Sequence, residues 1–133
     1  MVVSHVGKPD PDQLGDAVDV HEQLYLEANR PAEVVELTNG LSNEDDATAL
    51  LLTYRGTALS QLGQPGAGRE ALKAALAPRS RSVEIRHLAL LARANTYLAE
   101  GKKSLAKKDI ERVLAEDSNF PGLEQALNEL DTT

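Results

Sequence analysis

The residues able to do chemistry are few, and their spacing matters more than their number. His5, His21 and His87 are far apart in the 133-residue chain, with no His-x-x-x-His pair to grip a metal ion. Glu44-Asp45-Asp46 is a carboxylate cluster without the alternating ligands and glycine of a calcium loop, so it reads as the acidic first turn of a helix. Gly63, Gly66 and Gly68 lie close together, but no Gly-Lys-Ser/Thr follows to cradle a phosphate. Gly68 reads instead as a small packing position. Cysteine is absent, which removes thiol catalysis, disulfides and Cys-based zinc sites. No Gly-x-Ser-x-Gly elbow or nucleophile–His–acid set is present. The expectation is a non-enzymatic chain with no cofactor and no metal.

Two kinds of basic residue stand out. Lys102, Lys103, Lys107, Lys108 and Arg112 form a run whose i, i+4 pairs make part of one helix face positive. Arg55 and Arg93 recur at equivalent places on a partly apolar face, where stems pack and guanidinium groups reach water or a carboxylate. Nucleic acid would take the basic run only with stacking aromatics beside it and a less acidic whole. Aromatics are 3% of the chain, its net charge is −7, and its pI is about 4.9. The charge is also uneven. Residues 1–66 hold three basic and eleven acidic side chains, whereas 67–133 hold eleven and ten. Such polarity steers association with protein surfaces, including another copy of the chain.

The elements that carry these residues announce themselves by repetition. Asn29-Arg30-Pro31, Gly63-Gln64-Pro65 and Gly101-Lys102-Lys103 are turn signals, the first two 34 residues apart and the last two 38. Gly or Asn ends one helix in the left-handed region, and Pro suits the first turn of the next. The third signal lacks Pro, and Ser104 is expected to cap its second helix. Before the turns Val18, Leu52 and Leu90 align, then Tyr25, Leu59 and Tyr97, with Gly56 and Ala94 between them at a close helix crossing. After the turns Val34, Gly68 and Ala106 align, then Thr38, Leu72 and Ile110, then Leu41, Ala75 and Val113. Helices are therefore expected at 13–28, 31–42, 45–62, 65–77, 82–100 and 104–115, behind a flexible segment at 1–12. Arg79-Ser80-Arg81-Ser82 takes up most of the extra four residues in the second interval. A last helix at about 121–130 has Leu123, Leu127 and Leu130 on one side and Glu124, Gln125 and Asn128 on the other, as a capping helix needs. No apolar run spans a bilayer, and Met1–Gly7 lacks the basic start of an export signal, so the cytoplasm is the expected compartment.

The stretches Gly56-Thr57-Ala58-Leu59-Ser60-Gln61-Leu62-Gly63-Gln64-Pro65 with Ala71–Leu76, and Ala94-Asn95-Thr96-Tyr97-Leu98-Ala99-Glu100-Gly101 with Ala106 and Val113-Leu114, resemble tetratricopeptide repeats. Asp117-Ser118-Asn119-Phe120-Pro121-Gly122-Leu123 is similar to the exit of terminal repeats in that family. Leu52 and Leu90 stand where its signature Trp would be, and Arg55 and Arg93 where a Leu would be. The resemblance implies an all-α superhelical stack of three helix-turn-helix hairpins, at about 13–42, 45–77 and 82–115, plus the capping helix. It further implies a concave groove lined by the first helix of each hairpin. The groove positions so implied are Asp19, Gln23 and Glu27, then Tyr54, Thr57 and Gln61, then Leu88, Leu91, Asn95 and Leu98. Of the Lys, Arg and Asn set with which chaperone-binding relatives clamp a terminal carboxylate, only Asn95 matches. The implied function is an adaptor or scaffold that binds a peptide or helix of a protein partner, one with a basic or amphipathic segment. The alternatives are self-association and service as a regulatory segment of a larger enzyme or transcription factor.

Overall fold

The turn signals govern how the chain doubles back. In the computed structural model, which describes residues 30–132, every regular element is a helix. These are α1 (Pro31–Leu37), α2 (Asp46–Gln61), α3 (Pro65–Leu76), α4 (Val83–Ala99), α5 (Lys103–Glu116) and α6 (Leu123–Asp131). The helix expected at 13–28 and the segment 1–12 lie outside the described residues. None of the described helices is long and apolar enough to cross a membrane.

Gly63 closes α2 at φ +83°, where the Gly63 N–H donates to the Ser60 carbonyl (3.0 Å) and the Gln64 N–H to that of Leu59 (2.9 Å). Gly101 closes α4 at φ +75° with the same two bonds, to Leu98 (3.0 Å) and Tyr97 (2.9 Å). A side chain at either glycine would meet the left-handed penalty, so the turn chemistry fixes where both helices stop. The described helix ends fall within two residues of the expected bounds except at the end of α1, and the cap expected of Ser104 is absent. α1 ends at Leu37 rather than 42, because the chain turns through Asn39 and Gly40, the latter in the left-handed region at φ +75°. The Thr38 hydroxyl bonds back to the Val34 carbonyl (2.9 Å) in that last turn. α5 begins at Lys103 with Lys102 at its cap and no side-chain cap bond, so Ser104 lies inside the helix.

The carboxylate cluster resolves into capping. The Asp45 carboxylate accepts from the Thr48 N–H (2.9 Å), and the Thr48 hydroxyl accepts from the Asp45 N–H (2.9 Å). The Thr48 backbone bond, followed by its hydroxyl bond, holds the Asp45 carboxyl below the usual range. The connector at 77–82 is a built junction as well. Asn43 donates to the Ala74 and Ala75 carbonyls (2.8 and 3.1 Å) and accepts from Arg81 (2.8 Å), while Arg86 donates to the Leu76 and Pro78 carbonyls. The last carbonyls of α3 are thereby satisfied without water.

Packing follows the matched stripes. Leu52 and Leu90, Leu72 and Ile110, and Ala75 and Val113 are buried pairs, the members of each 38 residues apart. Burial of a side chain such as Leu72 or Ile110 contributes about 1.5–3 kcal/mol. Gly56 and Gly68 bring the α2 and α3 backbones into contact. A Cβ built on Gly68 would lie 2.5 Å from the Gly56 carbonyl oxygen. Ala94 and Ala106 hold the matching places in α4 and α5. α4 packs on α2, α3 and α5, and α6 packs on α4 and α5, setting Leu123 and Ala126 into the core around Leu90, Leu91 and Ile110.

Candidate functional site

The packing of α2, α4 and α6 leaves a cleft of about 1060 Å³. α2 contributes Thr53, Tyr54 and Thr57, and α4 contributes Leu88, Leu91, Ala92, Asn95, Leu98 and Ala99. The third wall is Pro121, Gly122, Gln125, Ala126 and Glu129, with Gly101 and Lys103 at its edge. Of the groove residues implied by resemblance, Tyr54, Thr57, Leu88, Leu91, Asn95 and Leu98 thus come together around one space. Gln61 does not line it, since it is the last residue of α2, beyond the cleft's edge. Asp19, Gln23 and Glu27 lie outside the described residues.

Two of the leucines serve the protein's own core. Leu91 is only 5% exposed, and the position of a Cβ on Gly122 is 3.9 Å from its Cδ1, so α6 covers most of it. Leu98 is half-buried against the same core. The apolar floor is therefore shallower than three exposed leucines would make it. Helix periodicity places a side chain on a face but does not say which later element will lie over that face. The α6 wall itself was missed, although a signal for it existed. Thr53, Leu91 and Glu129 follow one another at 38-residue steps, as do Leu88 and Ala126.

The polar groups of the cleft divide into bonded and unbonded. The Thr53 hydroxyl donates to the Ala49 carbonyl (2.9 Å), and the Lys103 ammonium to the Leu130 carbonyl (3.1 Å). The Thr57 hydroxyl, the Asn95 and Gln125 amides and the Glu129 carboxylate bond to no other described residue. The cleft is thus a shallow apolar floor with a solvent-exposed polar rim that is not committed to the fold's own hydrogen bonds.

Several of the remaining ionisable groups are paired within the fold. Arg93 donates two bonds of 2.9 and 2.7 Å to the Asp109 carboxylate, and these bonds raise the Arg93 pKa further. Among the described residues its counterpart Arg55 reaches no carboxylate. It donates to the Val35 carbonyl (2.7 Å), Thr38 (3.1 Å) and Asn39 (3.0 Å), capping the end of α1. His87 is buried, 2.6 Å from a Glu116 oxygen and edge-on to Phe120. Desolvation opposes ionisation of Glu100, but hydrogen bonds from Lys102 and Arg69 outweigh it and hold its carboxyl below the usual range. Among the described residues no group of three His, Asp or Glu is placed to hold a metal ion. No known protein family, characterised protein or solved structure matches the chain.

Proposed function

We propose that this chain is a tetratricopeptide-like helical-repeat module that binds a peptide or helix of a partner protein in the α2–α4–α6 cleft and carries out no reaction of its own. The observation that carries this reading is the cleft's lining. Thr57, Asn95 and Gln125 hold unbonded donors and acceptors above Leu88, Ala92 and Ala126. The repeat component draws on the buried sets shared by α2–α3 and α4–α5, and on α6 continuing the same 38-residue register. A polypeptide supplies what such a surface lacks, both apolar side chains and backbone groups to bond.

The test uses peptides selected from a displayed random dodecapeptide library on the full chain, with affinity read by fluorescence anisotropy. Thr57 and Asn95 are exposed and bond to no other described residue, so replacing both by Arg fills the cleft without touching the core. The Thr57→Arg/Asn95→Arg variant is expected to keep its helical circular dichroism and to lose at least about tenfold in affinity, as expected for central contacts of an interface. Undiminished binding, or a library that yields no binder, removes the proposal.

A further inference from the structure

The turn that ends α1 holds the chain's one Asn-Gly pair, Asn39-Gly40. An asparagine side-chain amide is open to attack by the backbone nitrogen of the next residue when nothing crowds that nitrogen, because both groups are held together by the chain itself. Glycine has no side chain to stand in the way. Both residues are exposed, and the space beside the Gly40 Cα is open, since a Cβ built there meets nothing within 4 Å. The Gly40 N–H donates to no other described residue, so the nucleophile is not tied up. The Asn39 side-chain nitrogen is likewise unbonded, whereas its oxygen accepts from the Arg55 guanidinium (3.0 Å). The leaving group is thus free, and the oxygen on which negative charge develops already has a cationic donor.

We infer that Asn39 is a site of spontaneous deamidation, and that the carboxylate it yields becomes the ionic partner that Arg55 lacks among the described residues. The Gly40 nitrogen attacks Asn39 Cγ and gives up its proton to water. The bond from Cγ to the side-chain nitrogen then breaks, ammonia leaves, and a cyclic imide is left behind. Water opens the imide at Cγ to give aspartate, or at the backbone carbonyl to give isoaspartate. Nothing is oxidised or reduced, and water is the sole co-reactant. The aspartate product stands at the carbonyl end of α1, where a negative charge is unfavourable without a cation beside it. Arg55 is that cation, already within hydrogen-bond distance of the same side chain. The ageing chain thereby acquires at Arg55 the kind of pair that Arg93 makes with Asp109.

The full chain is held at mildly alkaline pH, which favours loss of the Gly40 proton, then digested and followed by mass spectrometry. The mass gain of an amide NH2 replaced by OH is expected at Asn39 ahead of the chain's other five asparagines. Asn39→Gln, whose longer side chain closes a ring less readily, is expected to keep its mass at that position over the same time. An Asn39 that outlasts the other asparagines overturns the site, as does a parent chain that gains no mass. The pairing is read on Asn39→Asp, which carries the aspartate from the start. This variant is expected to melt about 1–4 °C above the parent at low salt, the range for one exposed ion pair, with the gain fading as salt rises. In an Arg55→Gln background the same substitution is expected to give no gain. A midpoint for Asn39→Asp at or below the parent's, or a gain that survives Arg55→Gln, overturns the pairing with Arg55.

Discussion

Among single residues, the two recurrent arginines show what spacing tells and what it leaves open. Arg55 and Arg93 stand 38 residues apart, and their register was readable as one role. The partners were not readable. Asp109 falls on the inner face of α5 and offers Arg93 a carboxylate, whereas the buried side of α3 offers none to Arg55, which turns to the open carbonyl end of α1. The Arg93–Asp109 pair is unequal in burial, at 27% and 5% side-chain exposure. That inequality predicts unequal costs. Arg93→Ala strands a carboxylate in the core and is expected to cost about 3–5 kcal/mol, the range for one partner lost from a buried pair. Asp109→Ala leaves a guanidinium that can swing to water, so about 1–2 kcal/mol is expected, near the value of a charged hydrogen bond. Urea unfolding of the two variants checks the order. Equal losses would mean that the arginine is as trapped as its partner.

Among elements, the decisive contact is the crossing of α2 and α3. Sequence reading marked Gly56 and Gly68 as small positions, and their use follows from the close approach. The added carbon on Gly56 would sit 2.5 Å from Leu72 Cγ and 2.9 Å from the Gly68 carbonyl oxygen. Alanine in a helix interior gains about 1 kcal/mol over glycine, and overpacking costs about 1–3 kcal/mol. For Gly68→Ala the obstacle is the Gly56 backbone, which cannot rotate away, so the steric term is expected to win by about 1–2 kcal/mol. Gly66→Ala is the control, since a carbon there meets nothing within 4 Å. It should be neutral or slightly stabilising. Helix ends were readable where a glycine in the left-handed region forces the stop, as at Gly63 and Gly101. The end of α1 was missed although a glycine marks it as well: Gly40 lies at φ +75° just beyond Thr38, whose hydroxyl bond to the preceding turn cannot be the stop, since Thr53 makes the same bond inside α2.

Across the whole molecule, the last helix has two duties that a reading of its polar side obscured. Treated as a cap, α6 needs only an apolar face toward the stack and a polar face toward solvent. In the fold its inner residues Leu123 and Ala126 are 1% and 3% exposed within the core, while Gln125 and Glu129 form a wall of the cleft. Core and cleft therefore depend on the same nine residues. A chain ended after Asp117 uncovers Leu91, Ile110 and Val113, and losing Leu123 alone is comparable to a large-to-small change worth about 2–5 kcal/mol. For a chain of this size that corresponds to a fall in melting midpoint of roughly 10 °C or more. Enhanced binding of an apolar dye should accompany the fall, because the uncovered patch is contiguous. The subtler variant is Gln125→Ala with Asn128→Ala. Both side chains are exposed on α6, and only Gln125 lines the cleft, so stability should hold while peptide affinity drops. A truncated chain that melts with the parent and binds no dye would show that α6 is not part of the core. The cleft would then have two walls rather than three.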